Sequence, residues 1–186
     1  MDIKPFYEML IGQQKDINFK EIVTLEDLEE YCYYVASSVG LMILPIIAQK
    51  NKVLVKSQSI ILGKAMQLTN ILRDIGEDLD NQRVYIPSEI LKEFNIDISD
   101  LESKKITNNF IYMWEYLANI AQEYYNAFYK VIKLFDKDSI EAVLSAAIYY
   151  NAILDSIRDN NYNCLSKRNY VKNYSSLKTK FNEVLE

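Results

Sequence analysis

The stretch Gln67–Asp78 constrains this chain more than any other, because it lays a polar stripe along a helix whose other directions are apolar. At 3.6 residues per turn, Gln67, Asn70, Asp74 and Asp78 fall at i, i+3, i+7 and i+11, with Glu77 on the shoulder. Leu62, Ala65, Met66, Leu68, Ile71, Leu72 and Ile75 occupy most of the remaining directions. The spacing therefore predicts a helix enclosed by other helices, its polar stripe turned to an interior cavity. That helix is expected to run from about Val53 to Asp80, roughly 40 Å at 1.5 Å per residue. Turn-forming residues from Asp80 to Gln82, and then Pro87, stop it.

Asp74 and Asp78 are like charges four residues apart, which costs an exposed helix about 0.2–0.5 kcal/mol and more when desolvated. A cation should compensate. Carboxylates at i, i+3 and i+4 can converge on a hard ion, and Mg²⁺ favours one or two carboxylates completed by water and phosphate oxygens. A D-x-x-E-D segment alone reads more simply as a solvated acidic helix end. Against that, Gln67 and Asn70 continue the stripe deep into apolar sequence.

Composition sets the outer bounds. With 186 residues, 49% of them hydrophobic, and only four glycines, the chain reads as a single all-α domain spanning 1–186. A net charge of −5 argues against broad nucleic-acid binding, which needs a Lys/Arg surface to neutralise phosphates. The sequence has no histidine, which excludes histidine acid–base chemistry. Cys32 and Cys164 lie far apart without CxxC spacing and are expected to be reduced and packed. No uninterrupted apolar run near eighteen residues and no signal-peptide pattern occur, so a cytoplasmic location is expected, with peripheral membrane contact left open. Oligomeric state is not legible in the sequence.

In chain order, Pro5 opens a helix with Phe6, Met9 and Leu10 on one apolar face, ended or bent between Gly12 and Asn18. Thr24 and Asp27 form a capping-box pattern that launches a helix through Tyr31, Val35 and Val39. Pro45 is expected to kink or break it. Ser88–Asp100 reads as a short helix and an irregular connection. A core helix follows from about Asn108 to Leu134, and Ser139 is expected to cap another through Ile157. Asp155 and Asp159 share a D-x-x-x-D spacing, but they close a helix and read as a solvated terminus.

The run QLTNILRDIGEDLDNQRVYIP from Gln67 to Pro87 resembles the second aspartate-rich motif of the squalene/phytoene synthase family, especially its bacterial dehydrosqualene synthase branch. YCYYVASSVG from Tyr31 to Gly40 is similar to the family's tyrosine–valine–glycine helix, with Ser37 where the family usually has glycine. The resemblance implies an isoprenoid-synthase-type bundle of helices around a central cavity, N-terminally incomplete. The part that carries the family's first aspartate-rich motif would precede Met1.

It also implies a Mg²⁺-dependent transferase that joins two farnesyl diphosphates head to head through a cyclopropyl diphosphate. The product would be dehydrosqualene, or phytoene or squalene from related substrates. Asp74 and Asp78 would be catalytic metal ligands, supported by Asn70 and Glu77. Gln67, Asn70, Arg73 and Arg168 would face the diphosphate. Tyr31 would sit beside the reacting carbons, while Val35, Val39, Gly40 and Tyr150 would shape the prenyl channel. NADPH is disfavoured, because no glycine-rich dinucleotide motif is present. With one acidic motif, these residues alone are expected to show little or no turnover. A non-catalytic prenyl-lipid-binding or assembly protein is the alternative, and a class I terpene cyclase a third reading.

Overall fold

Residues 2–172 and 174–186 are described by a computed structural model in which every regular element is helical among the described residues. The helices are α1 (Lys4–Ile17), α2 (Leu25–Cys32), α3 (Ser38–Ile47), α4 (Lys56–Asp80), α5 (Ser88–Glu93), α6 (Ile98–Glu102), α7 (Asn108–Tyr129), α8 (Ile140–Asp159) and α9 (Tyr174–Leu185). A π-helical turn, Tyr33–Ser37, joins α2 to α3, and a 3₁₀ turn, Ile132–Leu134, follows α7.

The helix with the polar stripe is the central one. Its other faces pack on α7, α8, α3, the π turn and α2. Leu68, Ile71, Leu72 and Ile75 of α4 meet a core built from Trp114, Leu117, Tyr125, Leu144 and Leu154, all buried. Three polar side chains enter this core satisfied. The Trp114 indole N–H donates to the Leu72 carbonyl at 3.2 Å, and the Thr69 and Tyr125 hydroxyls lie 2.9 Å apart.

Local signals place most helix ends. The Thr24 hydroxyl accepts from Asp27 N at 3.1 Å while the Asp27 carboxylate accepts from Thr24 N at 3.0 Å, completing the expected box. Thr107 caps α7 through Phe110 N. Ser139 stands at the start of α8 as expected, but its hydroxyl donates to Asp138 instead of accepting from the helix.

Several expectations are corrected. Pro45 does not break α3, because it lies in the last turn, where its missing amide costs one bond, and the helix ends two residues later. α4 starts at Lys56, not Val53, since residues 51–55 form turns. α7 ends at Tyr129, and only the short 3₁₀ turn reaches Leu134. α1 ends at Ile17, within the expected Gly12–Asn18 stretch, but its expected core face is outside: Phe6 and Leu10 are exposed while Gly12 is buried. α2, the π turn and α3 together form a helical run, Leu25–Ile47, long and apolar enough by length and composition to cross a membrane, as is Lys137–Asp159. Glu26, Asp27, Glu29 and Glu30 interrupt the start of the first run, so it carries no unbroken apolar stretch of that length.

The two cysteines are free and buried, as expected. Burial pushes the Cys164 thiol up to about 12.

Candidate diphosphate site

Close packing at one glycine builds the charged end of α4. An added Cβ at Gly76 would stand 2.0 Å from the Leu165 carbonyl oxygen. The backbone of residues 164–165 therefore lies directly on α4, held by Gly76 N donating to the Cys164 carbonyl at 3.1 Å. This clasp brings Arg168 to the acidic stripe, ninety-four residues from Asp74 in sequence.

Asp74 sits between two guanidinium groups. Arg73 donates to both its oxygens, at 2.8 and 2.6 Å, a bidentate arrangement on largely buried side chains. Arg168 reaches Asp74 at 3.3 Å and Glu77 at 3.1 Å. The bond to Asp74 holds the Arg73 guanidinium above its ordinary value. Arg73, Asp74, Glu77, Lys104, Lys167 and Arg168 line an open cleft of about 350 Å³. Lys104 closes its far side through Asp80 at 2.8 Å.

Asp78 faces elsewhere, toward a narrow crevice beside Arg83, Tyr85 and Ile75. Burial pushes its carboxyl up to about 7, reinforced by the charges of Asp74 and Glu77 and partly offset by Arg83. Beyond Arg83 lies a cluster in which the Tyr31 and Tyr85 hydroxyls both donate to Asp16 Oδ1, at 2.9 and 3.0 Å. Their rings stack with centroids 5.0 Å apart. Arg83 donates to the Tyr85 hydroxyl and to the Asp16 carbonyl. Burial and these partners raise the Tyr31 phenol well above its usual range.

One turn before Asp74, Asn70 donates weakly to Gln67 at 3.5 Å, while its Oδ1 is buried without a partner. A buried amide oxygen left unpaired costs about 1–3 kcal/mol, so a water or ligand is expected to meet it, as at Asn151 Oδ1, which is likewise unpaired. Oxygen donors alone line the stripe, which suits a hard divalent cation. Among the described residues no three acidic or cysteine side chains converge as a ready metal cluster, because Asp74 and Glu77 are engaged by arginine.

The remaining candidates fall on neighbouring helices. Val35 and Gly40 are half-buried and Val39 is exposed, so the apolar wall they belong to is open on one side. Tyr150 is half-buried, with its phenol near Arg73. The tight helix contact in this region belongs to Gly63, where a Cβ would lie 2.5 Å from Ser37 Cα, whereas one on Gly40 would meet Ser59 O at 3.6 Å. Ser37 fits that contact by turning its hydroxyl onto the Ile60 carbonyl at 2.7 Å.

Sequence reasoning missed Asp16, Lys104 and the Gly76–Leu165 contact. Each is made across long sequence separation and left no periodic signal. Gly76 alone offered a clue, as a buried glycine inside an otherwise strong helix pattern.

Comparison with known proteins accords with this geometry. Residues 1–175 match the family model described as squalene/phytoene synthase. The chain is 35% identical over 182 residues to a 15-cis-phytoene synthase of Synechocystis sp., covering 92% of this chain and 54% of that protein. It is 34% identical over 190 residues to a 4,4'-diapophytoene synthase of Staphylococcus haemolyticus, covering 98% and 66%. It superposes on a crystal structure of a dehydrosqualene synthase in complex with ligand with a TM-score of 0.91 and 37% identity, covering all of this chain and 65% of that one. YisP from Bacillus subtilis gives a TM-score of 0.86 at 27% identity, covering 98% and 72%. The chain thus spans between half and two thirds of the length of the curated relatives it matches.

Proposed function

Since the chain belongs to the squalene/phytoene synthase family, we propose that its α4 stripe and arginine cleft bind the diphosphate of a prenyl substrate for head-to-head condensation. Two farnesyl diphosphates would give first a cyclopropylcarbinyl diphosphate, with loss of pyrophosphate and a proton. Loss of the second pyrophosphate with rearrangement, then of a further proton, gives dehydrosqualene without a reductant. Phytoene from geranylgeranyl diphosphate follows the same course.

The observation that carries this reading is Asp74 fixed between Arg73 and Arg168 at the mouth of a cleft, with the unpaired Asn70 oxygen one turn below. Asn70 and Asp74, with Glu77 at the edge, would hold Mg²⁺, which neutralises charge on the leaving diphosphate, and Asp78 would join them on turning out of its crevice. With Asp74 and Glu77 committed to the ion, Arg73 and Arg168, which now pair with them, would be free for the phosphate oxygens, for which a guanidinium fork is well shaped. Tyr85 lines the Asp78 crevice and stacks on Tyr31, so this buried pair would form an aromatic wall on that side of the site. Asp16 accepts both hydroxyl protons and so fixes the orientation of those rings.

Calorimetric titration with farnesyl thiodiphosphate tests the proposal. Binding is expected only with Mg²⁺ and is expected to disappear in Asp74→Asn. Equal binding without metal would instead favour a prenyl-lipid-binding module. That reading has one observation in its favour, the absence of a preformed acidic cluster among the described residues.

A further inference from the structure

We propose that the connection between α3 and α4 is a membrane-docking tip that seats this protein on an anionic lipid surface. Between Glu30 and Asp74 the sequence contains no acidic residue but carries Lys50, Lys52, Lys56, Lys64 and Arg73, in a chain whose net charge is −5. Three of these lysines, Lys50, Lys52 and Lys56, lie exposed on the connection and at the start of α4, outside any ion pair among the described residues. Interleaved with them are Ile46, Val53 and Leu54, which are 61%, 80% and 64% exposed. Large aliphatic side chains at such exposure, flanked by unpaired cations, are what an interface between headgroups and acyl chains accommodates.

The tip is anchored, not loose. Val55 and Ala48 are fully buried beneath it. The Asp136 carboxylate accepts from Gln49 N at 3.0 Å, and Asp136 N donates to the Ile47 carbonyl at 3.0 Å. Asn51 donates to the Leu134 carbonyl at 2.8 Å. These bonds fix the α7–α8 connection alongside, adding the exposed Leu134, Lys133 and Lys137 to the same end of the bundle. The acids there are Asp136, turned inward to Gln49, Asp138, which is exposed and accepts from Ser139, and Glu186, whose backbone oxygen accepts from Lys133 at 3.2 Å.

A lipid surface fits better than a protein. Four apolar side chains offer at most a few hundred Å² of contact, against roughly 1,200–2,000 Å² in a stable protein interface. Shallow insertion assisted by lysines needs no more than that. Lys56 and Asp74 lie on one helix, about 27 Å apart at 1.5 Å per residue, so docking would keep the charged cleft in water. The inference stands on this surface chemistry and does not depend on the reaction proposed above.

Sedimentation with vesicles tests it, comparing phosphatidylcholine alone with phosphatidylcholine containing phosphatidylglycerol. The purified protein is expected to sediment with the anionic vesicles and to be released by salt. Each lysine at such a surface contributes about fivefold, so Lys50→Glu/Lys52→Glu/Lys56→Glu should lower partitioning by on the order of a hundredfold. Val53→Ser/Leu54→Ser should lower it about tenfold. All five side chains are exposed, and unchanged melting and circular dichroism will show that both variants fold. Absence of sedimentation, or sedimentation undiminished in both variants, overturns the proposal. So does self-association without vesicle binding that Val53→Ser/Leu54→Ser disperses, which would assign the tip to a second copy.

Discussion

Substituting Gly76 by alanine sets two effects of opposite sign against each other, and the structure decides which wins. In a helix interior, Gly→Ala normally stabilises by about 1 kcal/mol, because glycine carries the greater backbone entropy. At Gly76 the new methyl would stand 2.0 Å from the Leu165 carbonyl oxygen and 2.5 Å from its carbon, both backbone atoms. Relief requires residues 164–165 to lift by more than an ångström, which breaks the bond from Gly76 N to the Cys164 carbonyl. Overpacking costs about 1–3 kcal/mol and the lost hydrogen bond about 1 kcal/mol, so Gly76→Ala is expected to destabilise by about 1–3 kcal/mol net.

Gly40→Ala is the control. Its methyl would meet Ser59 O at an ordinary 3.6 Å, leaving the propensity gain of up to about 1 kcal/mol unopposed. Thermal unfolding should therefore move the two variants in opposite directions. Calorimetry with pyrophosphate should also find Gly76→Ala weakened, because Arg168 rides on the displaced segment. A Gly76→Ala protein more stable than the parent, with pyrophosphate affinity intact, would show that the clasp does not position the cleft.

Arg168→Ala is expected to weaken pyrophosphate binding about tenfold or more in the same titration, and Arg168→Lys to restore little of it, since an ammonium cannot span Asp74 and Glu77 together. Asp78→Asn is expected to stabilise the metal-free protein at about pH 8 but hardly at about pH 5. With a folded-state value of about 7, raised above the ordinary carboxylate, Asp78 withdraws stability as pH climbs from about 4 through 7. The full shift corresponds to about 4 kcal/mol, which solvent screening of a partly exposed group reduces to about 1–2 kcal/mol. Equal melting shifts at both pH values would remove the charge argument. Leu72→Ala, at a fully buried site on the back of α4, should cost about 2–5 kcal/mol in denaturant unfolding, and a loss below 1 kcal/mol would show that α4 is not central to the core.

Helical class and the order of the long helices were legible because they follow from local spacing. The alternation of Leu68, Ile71, Leu72 and Ile75 with Gln67, Asn70 and Asp74 records both the buried and the polar side of one element. Thr24 and Asp27 announced a start by chemistry confined to four residues. What could not be read was pairing at a distance. Nothing near Asp16 marks it as the acceptor for Tyr31 and Tyr85, since those partners come from separate segments. The outward turn of Phe6 and Leu10 likewise depends on Gly12 seating α1 against Tyr34 and Val35, a choice made by tertiary contact. Arg168 was selected by resemblance, and its place beside Asp74 depends on a glycine ninety-two positions earlier.

The wide turn Tyr33–Ser37 has a consequence for how this helical run tolerates change in length. It holds one residue more than an α-helical turn while sweeping nearly the same angle, so the wider coil absorbs the extra residue and the helix on either side stays in phase. Deleting one of those five would let the run close into regular α geometry with Val39 and Gly40 facing nearly as before, while Tyr31 stayed where Asp16 holds it. A one-residue deletion confined to this turn should therefore be tolerated better than one in the regular helix on either side, which would rotate everything downstream by about 100°.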